Sequence, residues 1–204
     1  MKNTTTALCG LTTGLLLAVS SHESSAVTIT HGGDSLTMDF VDIGNVDNTG
    51  DTAHTVNGAN PGAVNYEYSI GTYEVTATQW SDVIGFDSNV GNAGSHSGSQ
   101  PTANSSWYEA AKFANWMTSG DALQGAYTFS DSTTFTGVDR DTALTTYGTI
   151  YVLPTEDEWY KAAYLKSDGT AYTPYATGYA DPDGIDFFGD ANYDSVYNDG
   201  SNNG

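Results

Sequence analysis

Positive charge is scarce: 5 Lys and Arg stand against 25 Asp and Glu in 204 residues, a formal net charge of −20. Five cations cannot build the basic surface that neutralises phosphates, which excludes a nucleic-acid binder of the usual kind. The same imbalance argues against docking on an anionic membrane surface. Cysteine is almost missing, with Cys9 alone, so these residues can form no disulfide among themselves and no multi-thiolate metal site. Long apolar runs are also lacking. The stretch from Leu8 to Val19 is broken by Cys9, Gly10, Thr12, Thr13 and Gly14, and falls short of the roughly 20 residues a spanning helix needs. His22, His31, His54 and His96 are scattered with no helical pairing, so no zinc site is expected. A nucleophile elbow for Ser/His/Asp chemistry is absent too.

Aromatic side chains are abundant, 14 Tyr, 7 Phe and 4 Trp, and they supply the apolar area that a folded core needs despite the charge. With 23 Gly and many Asn, Asp, Ser and Thr, the chain reads as one domain with long loops. Its first residues read as a signal peptide over 1–26: Lys2, a modest apolar stretch, then Ser24-Ser25-Ala26 before the cut. Leu8 precedes Cys9 where a lipoprotein has a small residue, so lipid attachment is not expected. Cleavage after Ala26 removes Lys2, Glu23 and Cys9 and leaves the net charge at −20. The expected location is export, to the periplasm, the cell surface or the medium, with no membrane insertion once the signal is removed.

Residues 27–204 then form the domain. Met38, Phe40 and Ile43 within Leu36–Ile43 predict a short strand. Val64, Tyr66, Tyr68 and Ile70 alternate strictly, which predicts a half-buried strand. Three helices announce themselves by capping boxes: Thr76 with Gln79, Ser106 with Glu109, and Thr155 with Glu158. In each, the hydroxyl accepts from a free backbone N–H and the residue three later returns the bond. Trp107, Ala110, Ala111, Ala114 and Met117 share one stripe of the second helix, and Trp159, Ala162 and Ala163 one side of the third. Trp80, Trp107, Trp116 and Trp159 read as core anchors, and Glu74, Glu109 and Glu158 as partners of backbone N–H groups. Tyr151–Leu153 predicts a strand leading into the third helix, while 129–149, mostly Thr and Asp, reads as loop. The class is α+β with short strands, two or three helices and long loops.

The strings themselves are more specific. Tyr73-Glu74-Val75-Thr76-Ala77-Thr78-Gln79-Trp80 comes first. Pro101 with Ser106-Trp107-Tyr108-Glu109-Ala110 and Phe113-Ala114-Asn115-Trp116-Met117 follows, then Leu153-Pro154-Thr155-Glu156-Asp157-Glu158-Trp159. In this order they resemble the formylglycine-generating enzyme, or sulfatase-modifying factor, family over about Leu36 to Asn192. The resemblance implies an irregular α+β fold related to C-type lectin domains. It also implies an oxidase that uses a copper-binding cysteine pair to oxidise a substrate cysteine. The chain departs from the pattern at Val152, where the family often has Arg, and it contains neither the cysteine pair nor the later Trp-Glu-Trp segment. The domain is therefore expected to be C-terminally incomplete and without oxidase chemistry of its own; copper is not supported, and no catalytic residue is assigned.

Calcium is the cofactor the resemblance does imply, through the Asn192 side chain and the Tyr193 carbonyl. Around them, Asp181, Asp183, Asp186, Asp190 and Asp194 offer the oxygen ligands calcium favours. Two other readings of this stretch stay open. Asp190, Asn192, Asp194, Val196 and Asn198 take positions 1, 3, 5, 7 and 9 of an EF-hand-like loop, with Ser195 and Ser201 in place of the expected Gly and acid. The whole segment also reads as a solvated acidic loop. The alternative function is a non-catalytic, calcium-stabilised lectin-like module that binds a protein or glycan ligand at the cell surface.

Overall fold

The computed structural model describes residues 24–174 and 176, apart from 57 and 93. Its first element is an antiparallel hairpin, β1 (Ser25–His31) against β2 (Asp34–Ile43), in register from Ser25 opposite Phe40 to His31 opposite Asp34. Gly32 and Gly33 join the strands with φ of 60° and 111°, the left-handed pair that a two-residue hairpin turn requires. The expected cleavage point after Ala26 lies within β1, two residues past its start. Alternation along β2 buries Leu36 and Met38 and leaves Thr37 and Asp39 outside.

β3 (Tyr68–Gly71) adds to β2 antiparallel, with Tyr68 opposite Ile43. The expected strand over Val64–Ile70 is thus realised only in its second half. Ile43 ends β2, so residues before Tyr68 have no neighbour to pair with, and side chains and single backbone bonds satisfy them instead. Val64 N–H donates to the Asn48 side chain at 3.2 Å, and its carbonyl accepts from Asp47 N–H at 3.1 Å.

All three expected helices are present with complete capping boxes. They are α1 (Ala77–Phe86), α2 (Trp107–Ser119) and, after one unexpected helix, α4 (Glu156–Tyr164). The unexpected helix is α3 (Arg140–Tyr147), preceded by a two-stranded ribbon of β4 (Tyr127–Phe129) and β5 (Phe135–Val138). The described residues therefore hold four α-helices, where two or three were expected, and 129–149 is not a loop. Asp139 caps α3 by accepting from Thr142 N–H at 2.9 Å.

Helix α2 is the pillar of the molecule. Its burial is wider than one stripe: every residue from Ala111 through Thr118 is buried. One side carries Phe113, Trp116 and Met117 into a core with Ile29, Leu36, Met38, Trp80, Val83 and Val90. Trp80 stacks on Phe113 at 5.1 Å and 4°, and Phe86 on Trp116 at 5.1 Å; such offset contacts add to the area they remove from water. The other side places Ala111 and Ala114 against Ala126, Tyr127 and Ala143. Asn115 sits between, donating to the carbonyls of Ala122 and Tyr127 and accepting from Tyr127 N–H, so its buried amide is satisfied. A side chain at Gly125 would collide with that amide.

Two of the four expected tryptophan anchors are core residues, Trp80 at 2% and Trp116 at 1% exposure, whereas Trp107 at 47% and Trp159 at 51% are half outside. Trp107 is the first residue of α2, beyond the end of the main core, and packs edge-on against Tyr127 and Phe135. Trp159 is displaced because the inner face of α4 belongs to Glu158 and Lys161. The expected strand at Tyr151–Leu153 is also absent; side chains replace its ladder. Tyr151 N–H donates to the Thr118 hydroxyl at 2.9 Å and Leu153 N–H to the Tyr127 hydroxyl at 2.8 Å.

Candidate functional site

The polar interior gathers around α4. Its capping box is made by Thr155, whose hydroxyl accepts from Glu158 N–H at 3.2 Å, while Glu158 Oε2 accepts from Thr155 N–H at 2.6 Å. The other carboxylate oxygen, Oε1, accepts from Arg140 Nη1 at 2.8 Å and from the Tyr66 hydroxyl at 2.6 Å. Arg140 extends the knot by donating to the Leu153 carbonyl at 2.6 Å. The Tyr68 hydroxyl donates to the carbonyl of Glu158. One acid thus ties together the start of α3, the segment entering α4, and the two tyrosines leading into and opening β3.

Electrostatics follow from that geometry. Burial disfavours the charge on Glu158, yet Arg140, Tyr66 and the Thr155 N–H together hold its carboxyl below the ordinary carboxylate range. Burial, then the bond to Glu158, pushes the Tyr66 phenol up to about 12. Both oxygens of Glu158 accept hydrogen bonds and only 4% of the residue is exposed, so its carboxylate is not open to a substrate. Its chemistry is positioning.

Three further polar residues of α4 hold the long segment between β2 and β3. Asp157 accepts from Gly62 N–H at 2.8 Å, the Tyr160 hydroxyl donates to Asp51 at 2.8 Å, and Lys161 Nζ donates to the Asn45 carbonyl at 3.0 Å. Asp51 is buried and also accepts from Ala53 N–H at 2.8 Å and from His54 Nδ1 at 2.9 Å. Burial works against its charge, but the bonds from His54, Ala53 and Tyr160 prevail and its pKa lies below the usual value. Helix α4 is a clamp: its side chains do the work that strand pairing would do for a segment with little regular structure.

Of the three glutamates read as N–H partners, Glu109 and Glu158 have that role, and Glu109 also accepts from Asn92 N–H at 3.1 Å. Glu74 is exposed ahead of α1 and caps nothing among the described residues. The histidines stay apart. His31 donates to the Met117 carbonyl at 3.1 Å, edge-on to Trp116; His96 donates to the Pro101 carbonyl at 2.8 Å; His54 serves Asp51. Among the described residues no three His, Cys, Asp or Glu converge as metal ligands, and no helix there is long and apolar enough to cross a membrane. Asn192 and Tyr193, read as calcium ligands, lie outside the described residues, as does the whole EF-hand-like reading at 190–201.

The Glu158–Arg140 pair, the bonds from Asp157, Tyr160 and Lys161, and the Tyr66 and Tyr68 contacts were not foreseen from sequence. Their only signal was the density of polar residues in Thr155–Lys161, a helix that nevertheless carries a tryptophan.

Comparison with known proteins gives one clear result. The family model of the Sulfatase-modifying factor enzyme 1-like domain matches residues 21–203, nearly the whole chain and all three capped helices. No curated protein and no solved structure gives a significant match. The matched span includes the Leu153–Trp159 motif around which the clamp is built, and the chain belongs to the sulfatase-modifying factor, or formylglycine-generating enzyme, family.

Proposed function

We propose that this is an exported domain of the sulfatase-modifying factor type that does not oxidise cysteine with thiols of its own. One observation carries the reading: Cys9 is the only cysteine in the 204 residues, and it lies in the segment read as a signal peptide. The founding enzymes of the family hold copper with a pair of thiolates. A single cysteine cannot supply that pair, and the carboxylates that dominate this chain are poor ligands for a soft copper ion. The most enzyme-like carboxylate among the described residues, Glu158, is buried and already accepts three hydrogen bonds, which supports a structural role.

The test incubates the purified chain, with and without copper, in air with a sulfatase-derived peptide bearing the target cysteine. An aldehyde-capturing tag reads product. No tagged peptide above the peptide-alone control is expected; time-dependent aldehyde formation removes the proposal. Export is tested separately, by sequencing the N-terminus of secreted protein, which is expected to begin at Val27.

A second reading, a lectin-like binding module, is favoured by the aromatic surface. Tyr73 is 74% exposed, and Trp107 and Tyr108, ring centroids 5.4 Å apart, are both about half exposed. Tyr and Trp are enriched at interfaces because each joins an apolar body to a polar tip. In this reading calcium bound through Asn192 and Tyr193 stabilises the fold. A chelator is then expected to lower the melting midpoint; an unchanged midpoint removes the metal from the proposal.

A further inference from the structure

In the three-stranded sheet the order is β1-β2-β3, so β1 forms an outer edge with β2 on one side only. Which backbone groups it leaves free follows from the turn. A two-residue hairpin closes on a bonded pair, here His31 and Asp34, and bonded and non-bonded pairs alternate along an antiparallel ladder. Ile29 and Val27 therefore turn their N–H and C=O groups toward Leu36 and Met38, while Thr30, Thr28 and Ala26 turn theirs away from the sheet. Those last residues are exposed, and among the described residues no hydrogen bond reaches their backbone.

Edge strands ordinarily guard such groups with a charge, a proline, a bulge or sheer shortness. β1 has none of these. It runs for 7 residues, Ser25–His31, in unbroken register, with no proline, acid or lysine. In a chain with 25 acids that gap stands out. β2 beside it carries Asp34, Asp39 and Asp42, and β3 at the opposite edge is only 4 residues long. β1 also keeps the alternation of a strand with neighbours: Ile29 is buried and Val27 partly buried on one face, and Thr28 and Thr30 are exposed on the other.

We propose that β1 is the docking edge for a second copy of this chain, the two strands pairing antiparallel about a two-fold axis and joining two three-stranded sheets into one. The edge is self-complementary, as an isologous contact requires. In the chain expected to begin at Val27, Thr28 and Thr30 are the outward residues that remain. Setting Thr28 opposite the partner's Thr30 engages both residues of each copy, and each such pair exchanges N–H···O bonds in both directions. The same register sets Ile29 opposite the partner's Ile29, so the buried face of one sheet continues into the other and no acid faces an acid across the junction. A one-residue slip would set buried faces against exposed ones. This register rests on the proposed cleavage; the edge does not, because Thr28 and Thr30 belong to β1 in either form. The two net charges repel, so the contact tightens as salt screens them.

The experiment is sedimentation velocity of the secreted chain over about a hundredfold range of protein concentration, at about 0.01 M and about 0.15 M ionic strength. A dimer fraction that rises with both is expected. Thr28→Pro removes an outward N–H that the monomer's own ladder does not use, a change that edge strands tolerate. This variant is expected to keep the parent's circular dichroism and to stay monomeric throughout. Register is read by disulfide trapping in a Cys9→Ser background. A mixture of Thr28→Cys and Thr30→Cys chains is expected to crosslink, because bonded residues directly opposite lie about 5.5 Å apart, within disulfide reach. Either chain alone is expected to crosslink at least about tenfold more slowly, its own cysteines being more than about 7 Å apart. Sequencing the N-terminus of the same sample tests the cleavage separately. A chain that keeps Ala26 pairs Thr28 with the partner's Thr28, and Thr28→Cys then crosslinks with itself. A monomer under all conditions, a Thr28→Pro variant that dimerises like the parent, or crosslinking that ignores position overturns the proposal.

Discussion

Glu158 shows how much one side chain can be asked to do. It completes a capping box, neutralises Arg140, and receives the Tyr66 hydroxyl, all from an interior position. Replacing it by Gln keeps the shape but leaves Arg140 without a counter-charge. Breaking a buried pair in this way costs about 3 kcal/mol, toward the lower end of the range because Arg140 keeps some solvent contact. Urea denaturation at neutral pH measures it. The pH dependence has a definite sign. The folded pKa of Glu158 is depressed, so its contribution is full above the unfolded value near 4.5 and is lost as pH falls through the folded value. The stability gap between the parent and Glu158→Gln is therefore expected to hold at neutral pH and to close over the window below about 4.5. A gap that stays constant over that window contradicts the ion pair as its source.

At the level of elements, the three capping boxes are the best-specified features of the chain. Thr76, Ser106 and Thr155 each accept from the N–H three residues on, and Gln79, Glu109 and Glu158 each return the bond. Thr76→Ala and Ser106→Ala are each expected to cost about 1 kcal/mol. They sit on different helices and share no partner, so the double variant is expected to cost the sum, to within about 0.5 kcal/mol. Denaturation midpoints of the four proteins settle it. These starts were legible because a capping box is a local pattern of four residues. Helix α3 was not, because threonines dominate it and threonine is an indifferent helix former. Those hydroxyls fold back on the helix, Thr145 onto the Asp141 carbonyl and Thr146 onto that of Thr142. The segment at Tyr151–Leu153 looked like a strand because its residues suit extended backbone; only the fold reveals that Thr118 and Tyr127 take the place of a neighbouring strand. Likewise, the clamp residues of α4 were visible as polar letters, but their partners Asn45, Asp51, Gly62 and Tyr66 are spread through an irregular segment. No periodicity links the two sets, so the candidate site was legible on one side only.

For the molecule as a whole, the decisive quantity is where its few positive charges go. Lys112 and Lys161 are buried and Arg140 is spent on Glu158, which leaves Lys166 as the exposed cation among the described residues. Most of the acids among the described residues face water with no cation paired to them there, and the net charge of the chain is −20. Folding gathers those charges into a small volume, so self-repulsion opposes the compact state. Salt relieves it: the screening length falls from about 30 Å at 0.01 M to about 8 Å at 0.15 M ionic strength. The interior pair of Glu158 and Arg140 is shielded from the same ions and loses little. Sodium chloride is therefore expected to raise the melting midpoint over this range. Glu158→Gln, whose surface is unchanged, is expected to show the same salt slope as the parent, so two parallel lines of midpoint against ionic strength are the predicted result. A falling midpoint, or a slope that disappears in Glu158→Gln, would mean that surface ion pairs rather than surface repulsion govern how this fold responds to salt.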